Sequence, residues 1–394
     1  MPKNQKSFRG TATSTIEPPS STVVDAPTLA EPSVVVDATI YMTLIFVSVV
    51  LMLHHVNYTH DYLWKISHRF FHPYETGVDQ LFQKFSVGGF LLLSGYKLSR
   101  SKVSEPAVPF LFNRFKRIYP LYLLALIVSS PAAYPHLVDG QLPSLANFIM
   151  HALCLQAVLP NFFQQDFYTI WFVSNLFCCY LLFLGLRKTL GRPATFCMKL
   201  GLFIFAIALV RQLAGTYGIS AFTNDFNVYL LFFAAGMGCA QLQPRLMTIN
   251  KLVLIGISVV CTGLLIALTV NPIETASPYG SIALSIVDSS LKIGSILPVH
   301  VLLLTSFQKT SVSPKVAVLM NNLTVASYCT FLFHRPIWTS LHGLWSGSSY
   351  LQSVFILGFG IPLIFVCSYC LQLFYNRRIL PMLPGGRPYK VRRV

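Results

Sequence analysis

Charged residues are scarce in this sequence, and acidic ones are the scarcest. Asp, Glu, Lys and Arg make up 11% of its 394 residues, and only 13 residues are acidic. A soluble globular domain carries about 25% charged residues, so this composition excludes an ordinary soluble protein. Hydrophobic residues account for 54% of the chain. This balance is typical of a polytopic membrane protein, with room for about ten helices of roughly 20 residues each.

The sequence also lacks the short motifs that mark many soluble enzymes. It contains no G-x-S-x-G, H-E-x-x-H, Walker or dinucleotide-binding pattern. Cys367 and Cys370 form a C-x-x-C pattern, but this lies in an apolar segment without a second pair. The histidine and acidic residues within 60–79 show no regular ligand spacing. We therefore predict no metal site and no bound cofactor.

The formal net charge is +16, but the basic residues are spread over several connections between apolar stretches rather than gathered in one patch. Apolar stretches predict spans at about 38–58, 80–96, 109–128, 168–186, 197–215, 226–243, 252–270, 289–307, 317–338 and 350–375. Lysine and arginine concentrate in alternate connections, as the positive-inside rule describes for cytosolic loops. The sequence thus predicts an all-α polytopic membrane protein with about ten transmembrane helices, both termini in the cytosol, and no nucleic-acid partner.

Three regions follow from this interpretation. Residues 1–36 are polar and rich in Ser, Thr and Pro, which predicts a disordered cytosolic tail. Residues 37–376 form the ten-helix membrane domain, surrounded by lipid, and 377–394 form a basic cytosolic tail. Residues 146–163 fit an interfacial or re-entrant helix, since another span would break the alternation of loop charges. A bacterial inner membrane and a eukaryotic endomembrane obey the same charge rule, so both locations stay open.

Four basic residues lie within or near the predicted spans: Lys84, Arg211, Lys292 and Arg335. A charge at membrane depth costs several kcal/mol unless it is paired or hydrated, so each is either a functional candidate or a structural residue in a salt bridge or at a snorkelling helix end. We favour the second interpretation for Arg211 and Lys292. Arg335 directly follows His334 and is the stronger functional candidate.

Three histidines fall on one side of the predicted membrane. His54 and His55 end the first span, and His334 lies towards the same side in the ninth. Histidine titrates near neutral pH, which suits a general base acting on a hydroxyl. A structural role is the alternative.

Ser94, Arg114 and Arg117 meet at the opposite, cytosolic side. The two arginines are spaced i, i+3, so they share one face of the third helix and could bind phosphates. An ordinary positive-inside flank is the alternative. The pairs Gly88-Gly89 and Ser94-Gly95 predict close helix approach and a helix stop, respectively.

Five stretches resemble the acyltransferase-3 family of integral-membrane O-acyltransferases. They are VVLMLHH, FSVGGFLLLSGYKLS, FLFNRFKRIYPLY with an R-x-x-R-I-x-P pattern, IWFVSNLFCCYLLF (170–183) and ASYCTFLFHRPI (326–337). The family usually has an arginine about eleven residues before its first-helix histidine, where this chain has Thr43 or Leu44.

The resemblance implies transfer of an acyl group, usually acetyl, from cytosolic acyl-CoA to a hydroxyl of a sugar, glycan or small metabolite. It implies that His54 or His55 is the catalytic base. It places Arg114, Arg117 and Ser94 at the donor and leaves His334, Arg335 and Trp171 for the acceptor side. A transporter or flippase of an amphipathic molecule is an alternative function. An inactive family member that serves as a scaffold is another.

Overall fold

The computed structural model of the protein describes residues 33–55, 75–101, 105–137, 140–160, 170–270, 278–345 and 350–384. These residues are almost entirely helical, which confirms the predicted all-α class. The helices are α1 (Ala38–His54), α2 (Glu75–Arg100), α3 (Ala107–Ala132), α4 (Tyr134–Leu137), α5 (Leu145–Ala152), α6 (Phe172–Leu186), α7 (Pro193–Thr216), α8 (Phe226–Leu246), α9 (Lys251–Val270), α10 (Pro278–Ser306), α11 (Pro314–Leu344), α12 (Tyr350–Gly358) and α13 (Gly360–Phe374).

Five of the described helical segments are long and apolar enough to cross a membrane. They are Pro193–Thr216, Lys251–Val270, Ala283–Lys309, Pro314–Leu344 and Tyr350–Met382. The first nine predicted spans each overlap one helix and the tenth overlaps both α12 and α13, but the number of crossings and the side of the termini stay predictions. Helix α5 has eight residues, which is too short for a span, as expected for an interfacial or re-entrant segment.

Helices α2 and α8 pack closely because each presents a glycine to the other's backbone. A Cβ on Gly95 would lie 2.1 Å from the Phe233 carbonyl oxygen, and one on Gly236 would lie 1.9 Å from that of Leu92. Small residues let helix backbones approach in this way. Helix α2 continues to Arg100, so the prediction of a helix stop at Ser94-Gly95 is wrong: Gly95 serves packing instead.

The chain before α1 is tied to the helical body by a short strand pair. Strand β1 (Val34–Val35) pairs antiparallel with β2 (Ser311–Val312), and the Asp37 side chain caps α1 by accepting from the Thr39 backbone N–H at 2.8 Å. Residues 1–32 of the predicted tail lie outside the described residues, as do 385–394 at the other end.

Three of the basic residues singled out in the sequence, Lys84, Lys292 and Arg211, pair with carboxylates or with the backbone. The Lys84 and Lys292 ammonium groups lie 2.8 Å and 3.2 Å from the Asp225 carboxylate, and Lys292 also lies 2.7 Å from Asp288. The Arg211 guanidinium donates to two carbonyls of the loop before α8. Ion pairing is thus confirmed for Lys292, whereas Arg211 binds backbone oxygens.

Candidate active site

Two of the predicted histidines meet where α1 ends against α11. Nδ1 of His54 lies 2.8 Å from Nε2 of His334, and the two rings are nearly parallel, with an interplanar angle of 1°. His334 is fully buried. Its second nitrogen, Nδ1, lies 3.1 Å from the Thr330 carbonyl oxygen and 2.9 Å from that of Phe331. Helix α11 therefore fixes the ring that contacts His54.

His55 has a different environment from its neighbour. Its Nδ1 contacts the Met52 backbone carbonyl of the same helix, and the residue is buried. His54 instead lines a small space, here called the histidine chamber. The residues that line it are Val50, Leu53, His54, Gln83, Ser86, Val87, Trp171 and Phe331. The side chains of these two adjacent residues thus have different surroundings.

On one side of the chamber lies a polar cavity of about 250 Å³. Its lining consists of Gln83, Gln156, Ala157, Trp171, Thr223, Asn224, Asp225 and Tyr229. It adjoins the histidine chamber, because Gln83 and Trp171 line both spaces. The Trp171 and Tyr229 rings, 5.2 Å apart, form its aromatic wall.

Gln156 is the best-defined polar group of this cavity. Its Nε2 donates to the Tyr122 hydroxyl at 3.0 Å, and that hydroxyl donates to the His151 carbonyl. The amide orientation is therefore fixed. Oε1 of Gln156 is buried and has no hydrogen-bond partner among the described residues. It is an acceptor that a bound hydroxyl could satisfy.

On the other side of the chamber lies an apolar cavity of about 240 Å³. Its lining consists of Phe90, Leu91, Ser94, Ile118, Phe172, Leu176, Tyr180, Ser327, Tyr328 and Phe331. Phe331 lines this cavity and the histidine chamber, so the two spaces adjoin at this residue. The histidine chamber therefore lies between a polar and an apolar space.

The predicted donor residues differ in their relation to the apolar cavity, and neither arginine is among its lining residues. Ser94 lines it directly. The Arg114 guanidinium lies 5.3 Å from the Phe110 ring centroid and 6.0 Å from that of Tyr180, which lines the cavity. Arg117 is exposed on the surface. Lys116 between them is buried and donates to the Pro384 carbonyl.

The predicted acceptor-side residues also occupy distinct positions. Trp171 lines both the histidine chamber and the polar cavity. Arg335 is buried on α11 beside His334.

Thr43 stands where the family usually has an arginine, eleven residues before His54. It donates its hydroxyl to the Thr39 carbonyl at 2.6 Å. It is satisfied within α1 and supplies no positive charge.

Sequence reasoning missed Gln156 and Asp225, which both line the polar cavity. For Asp225 a signal was available, since acidic residues are rare in this chain and this one directly precedes an apolar span. In the part of the chain that the structure describes, no group of three or more His, Cys, Asp or Glu side chains could hold a metal ion.

A protein built of long apolar helices belongs to the class of helical membrane proteins. The chain matches the family model described as an acyltransferase domain, acyltransferase-3, over residues 40–373. Since the match covers nearly the whole chain, the protein belongs to the acyltransferase-3 family and is an acyltransferase. No curated protein and no solved structure matches it.

Proposed function

We propose that the protein transfers an acyl group, acetyl in the usual case for the family, from acyl-CoA to a hydroxyl of a sugar, glycan or small metabolite. The position of His54 carries this proposal. His54 ends α1, contacts His334 and lines the chamber between the two cavities. A hydroxyl arriving from one cavity and a thioester arriving from the other would meet at this histidine.

Of the two adjacent histidines, His54 is the proposed general base. It faces the chamber, whereas His55 directs Nδ1 at a carbonyl of its own helix. A general base must lie within hydrogen-bonding reach of the proton that it removes. The chamber has a volume of about 10 Å³, so the hydroxyl end of an acceptor would meet this condition for His54 while the rest of the acceptor stays in the polar cavity.

The donor would enter past Arg114, on the side predicted to be cytosolic. Arg114 lies four residues before Ile118 of the apolar cavity, and Ser94 of the same cavity lies seven residues beyond Val87 of the histidine chamber. At a rise of about 1.5 Å per residue, these two steps are about 6 Å along α3 and about 11 Å along α2. Phosphates bound at Arg114 would thus lie across the apolar cavity from the histidine, and a long arm such as the pantetheine of CoA would run through that cavity.

The acceptor would occupy the polar cavity. Trp171 and Tyr229 offer aromatic faces there, and Gln156 Oε1 offers an unoccupied acceptor to a hydroxyl. Arg335, which adjoins His334 on α11, is proposed to belong to the acceptor half of the site. No nucleic acid is expected as a partner of this site.

The reaction balances with these groups alone. His54 removes the proton of the acceptor hydroxyl, whose oxygen attacks the thioester carbonyl carbon. The tetrahedral intermediate then expels the sulfur of CoA, and the histidinium returns its proton to that thiolate. The products are an ester and free CoA. No metal or bound cofactor takes part in this scheme.

The test compares His54→Gln with the matched control His55→Gln in lipid nanodiscs. Release of CoA from labelled acetyl-CoA is measured with a panel of polyols and glycans as acceptors. We expect turnover of the His54 variant to fall by about 10² to 10⁴, the usual contribution of a general base. Acetyl-CoA binding and the His55 variant should change little. Full turnover without His54 would refute the proposed base, and vesicle uptake of a solute without CoA would favour a transporter.

A further inference from the structure

Both ring nitrogens of His334 are occupied, and their partners define where its proton lies. Nδ1 lies 3.1 Å and 2.9 Å from two backbone carbonyl oxygens of α11, at Thr330 and Phe331. A carbonyl oxygen only accepts, so Nδ1 carries the hydrogen. A neutral imidazole has a single N–H, so Nε2 of His334 presents a lone pair.

That lone pair is directed at His54. Nδ1 of His54 lies 2.8 Å from it and must therefore be the donor. In the neutral ring of His54 this leaves Nε2 without a hydrogen. A general base needs such an unprotonated nitrogen, and His54 lines the histidine chamber.

We infer that His334 is a positioning residue that holds His54 in the tautomer with its Nε2 lone pair available to the acceptor hydroxyl. This inference rests on the proposed function in one respect, the use of His54 as the base. The order of hydrogen bonds runs from the α11 backbone through His334 to His54. An outer partner of this kind is how proteins commonly fix the tautomer and orientation of a working histidine.

The charge and packing around His334 support the neutral form. A protonated ring would add a second cation beside Arg335 in a fully buried position, and isolated buried charges are costly. The Trp338 ring packs edge-on against the His334 ring, with centroids 5.6 Å apart. The ring is thus held in place on α11 while it contacts α1.

The same geometry assigns His334 a role other than acceptor binding. With one nitrogen on the α11 carbonyls and the other on His54, it has no donor or lone pair left for a substrate hydroxyl. Within the described residues it lines neither the histidine chamber nor the polar cavity. Trp171, which lines both, keeps the acceptor-side position.

The first test compares two replacements of similar length that differ in the hydrogen-bond acceptor they offer to His54. In His334→Gln, the end of the side chain reaches about the position of Nε2 and can present an oxygen to His54. In His334→Met, a chain of similar length offers only a weak acceptor. We expect kcat of the Met variant to fall about 10- to 100-fold, with the KM values for both substrates nearly unchanged. The Gln variant should retain most of the wild-type kcat.

Equal activity of the two variants, at any level, would overturn the inference. So would a raised acceptor KM with an unchanged kcat, because that pattern belongs to a substrate-binding residue. Acetyl-CoA binding, measured on both variants, shows that each retains its fold.

The second test does not depend on turnover. The ¹⁵N spectrum of histidine-labelled protein, minus that of His54→Gln, isolates the His54 ring. We expect a protonated Nδ1 and an unprotonated Nε2 in the wild type. The opposite tautomer would overturn the inference even if His334→Met does not fold. The expected tautomer together with an active His54→Gln variant would instead refute only the proposed base.

Discussion

The Lys84 ammonium lies 2.8 Å from the Asp225 carboxylate at the wall of the polar cavity. The Lys84 side chain is completely buried, whereas that of Asp225 retains 28% exposure. The second lysine on this carboxylate, Lys292, has a further partner in Asp288. The carboxylate therefore joins α2 and α10 to the start of α8, beside the space proposed for the acceptor.

Removing this carboxylate alone should destabilise the protein more than removing both charges. Asp225→Leu leaves Lys84 as a buried cation without its partner, while Lys292 keeps Asp288. Breaking a buried ion pair in this way costs about 3–5 kcal/mol, and replacing both members by apolar residues is often close to neutral. The measurement is the apparent Tm in detergent by scanning fluorimetry. We expect Asp225→Leu to lower it and Lys84→Met to restore much of the loss in the double variant. A double variant as unstable as Asp225→Leu would contradict the role of the pair.

Close packing of α2 on α8 gives a second prediction, for Gly236→Ala. The added methyl group would lie 1.9 Å from the Leu92 carbonyl oxygen, and a backbone atom cannot rotate away. Overpacking of this kind costs roughly 1–3 kcal/mol, so the apparent Tm should fall. The control is Gly238→Ala in the same helix, where the new Cβ meets open space. It should leave Tm unchanged or raise it slightly, since alanine is the better helix former. Equal effects of the two substitutions would argue against the close approach.

The helical class could be predicted from sequence, and candidate site residues could be proposed, because both depend on local patterns. Long apolar stretches have one stable form in lipid, the helix. His54 and His55 were candidates because polar residues at the end of an apolar stretch are informative, whereas Trp171 was a candidate only through the family resemblance. The helical class of a membrane protein can therefore be predicted from its apolar stretches alone.

The pairing of residues across helices could not be predicted. His54 and His334 are 280 positions apart, and only helix register decides which of two neighbouring histidines on α1 meets the partner. Gly95 shows the same limit, since a glycine near a helix end fits both a stop and a close contact. Asp225 pairs with lysines of two other helices, and nothing near it in the sequence identifies either one.

The apolar cavity provides a third prediction, for Ser94→Phe. Ser94 lines the cavity proposed for the donor arm, and a phenyl ring there would fill part of its ~240 Å³. We expect the KM for acetyl-CoA to rise at least about 10-fold, equivalent to ~1.4 kcal/mol of lost binding. The control is Ser101→Phe, just beyond the same helix on the exposed surface, which should behave as wild type. An unchanged KM in a folded Ser94→Phe protein would remove this cavity from the donor path.

The last prediction concerns Arg114. Replacing its guanidinium group distinguishes phosphate binding from the role of an ordinary positively charged membrane flank. Loss of a charge-assisted hydrogen bond costs about 1.5–3 kcal/mol, so Arg114→Gln should raise the KM for acetyl-CoA about 10- to 100-fold. The exposed Arg117 should contribute less, and its contribution should fade at high salt. Acetyl-pantetheine lacks the phosphates of CoA, so with this donor Arg114→Gln and wild type should be equal. Arg192→Gln, at an exposed loop arginine, is the control and should leave both donors unaffected. A defect of the same size with both donors would mean that Arg114 supports the fold rather than the donor.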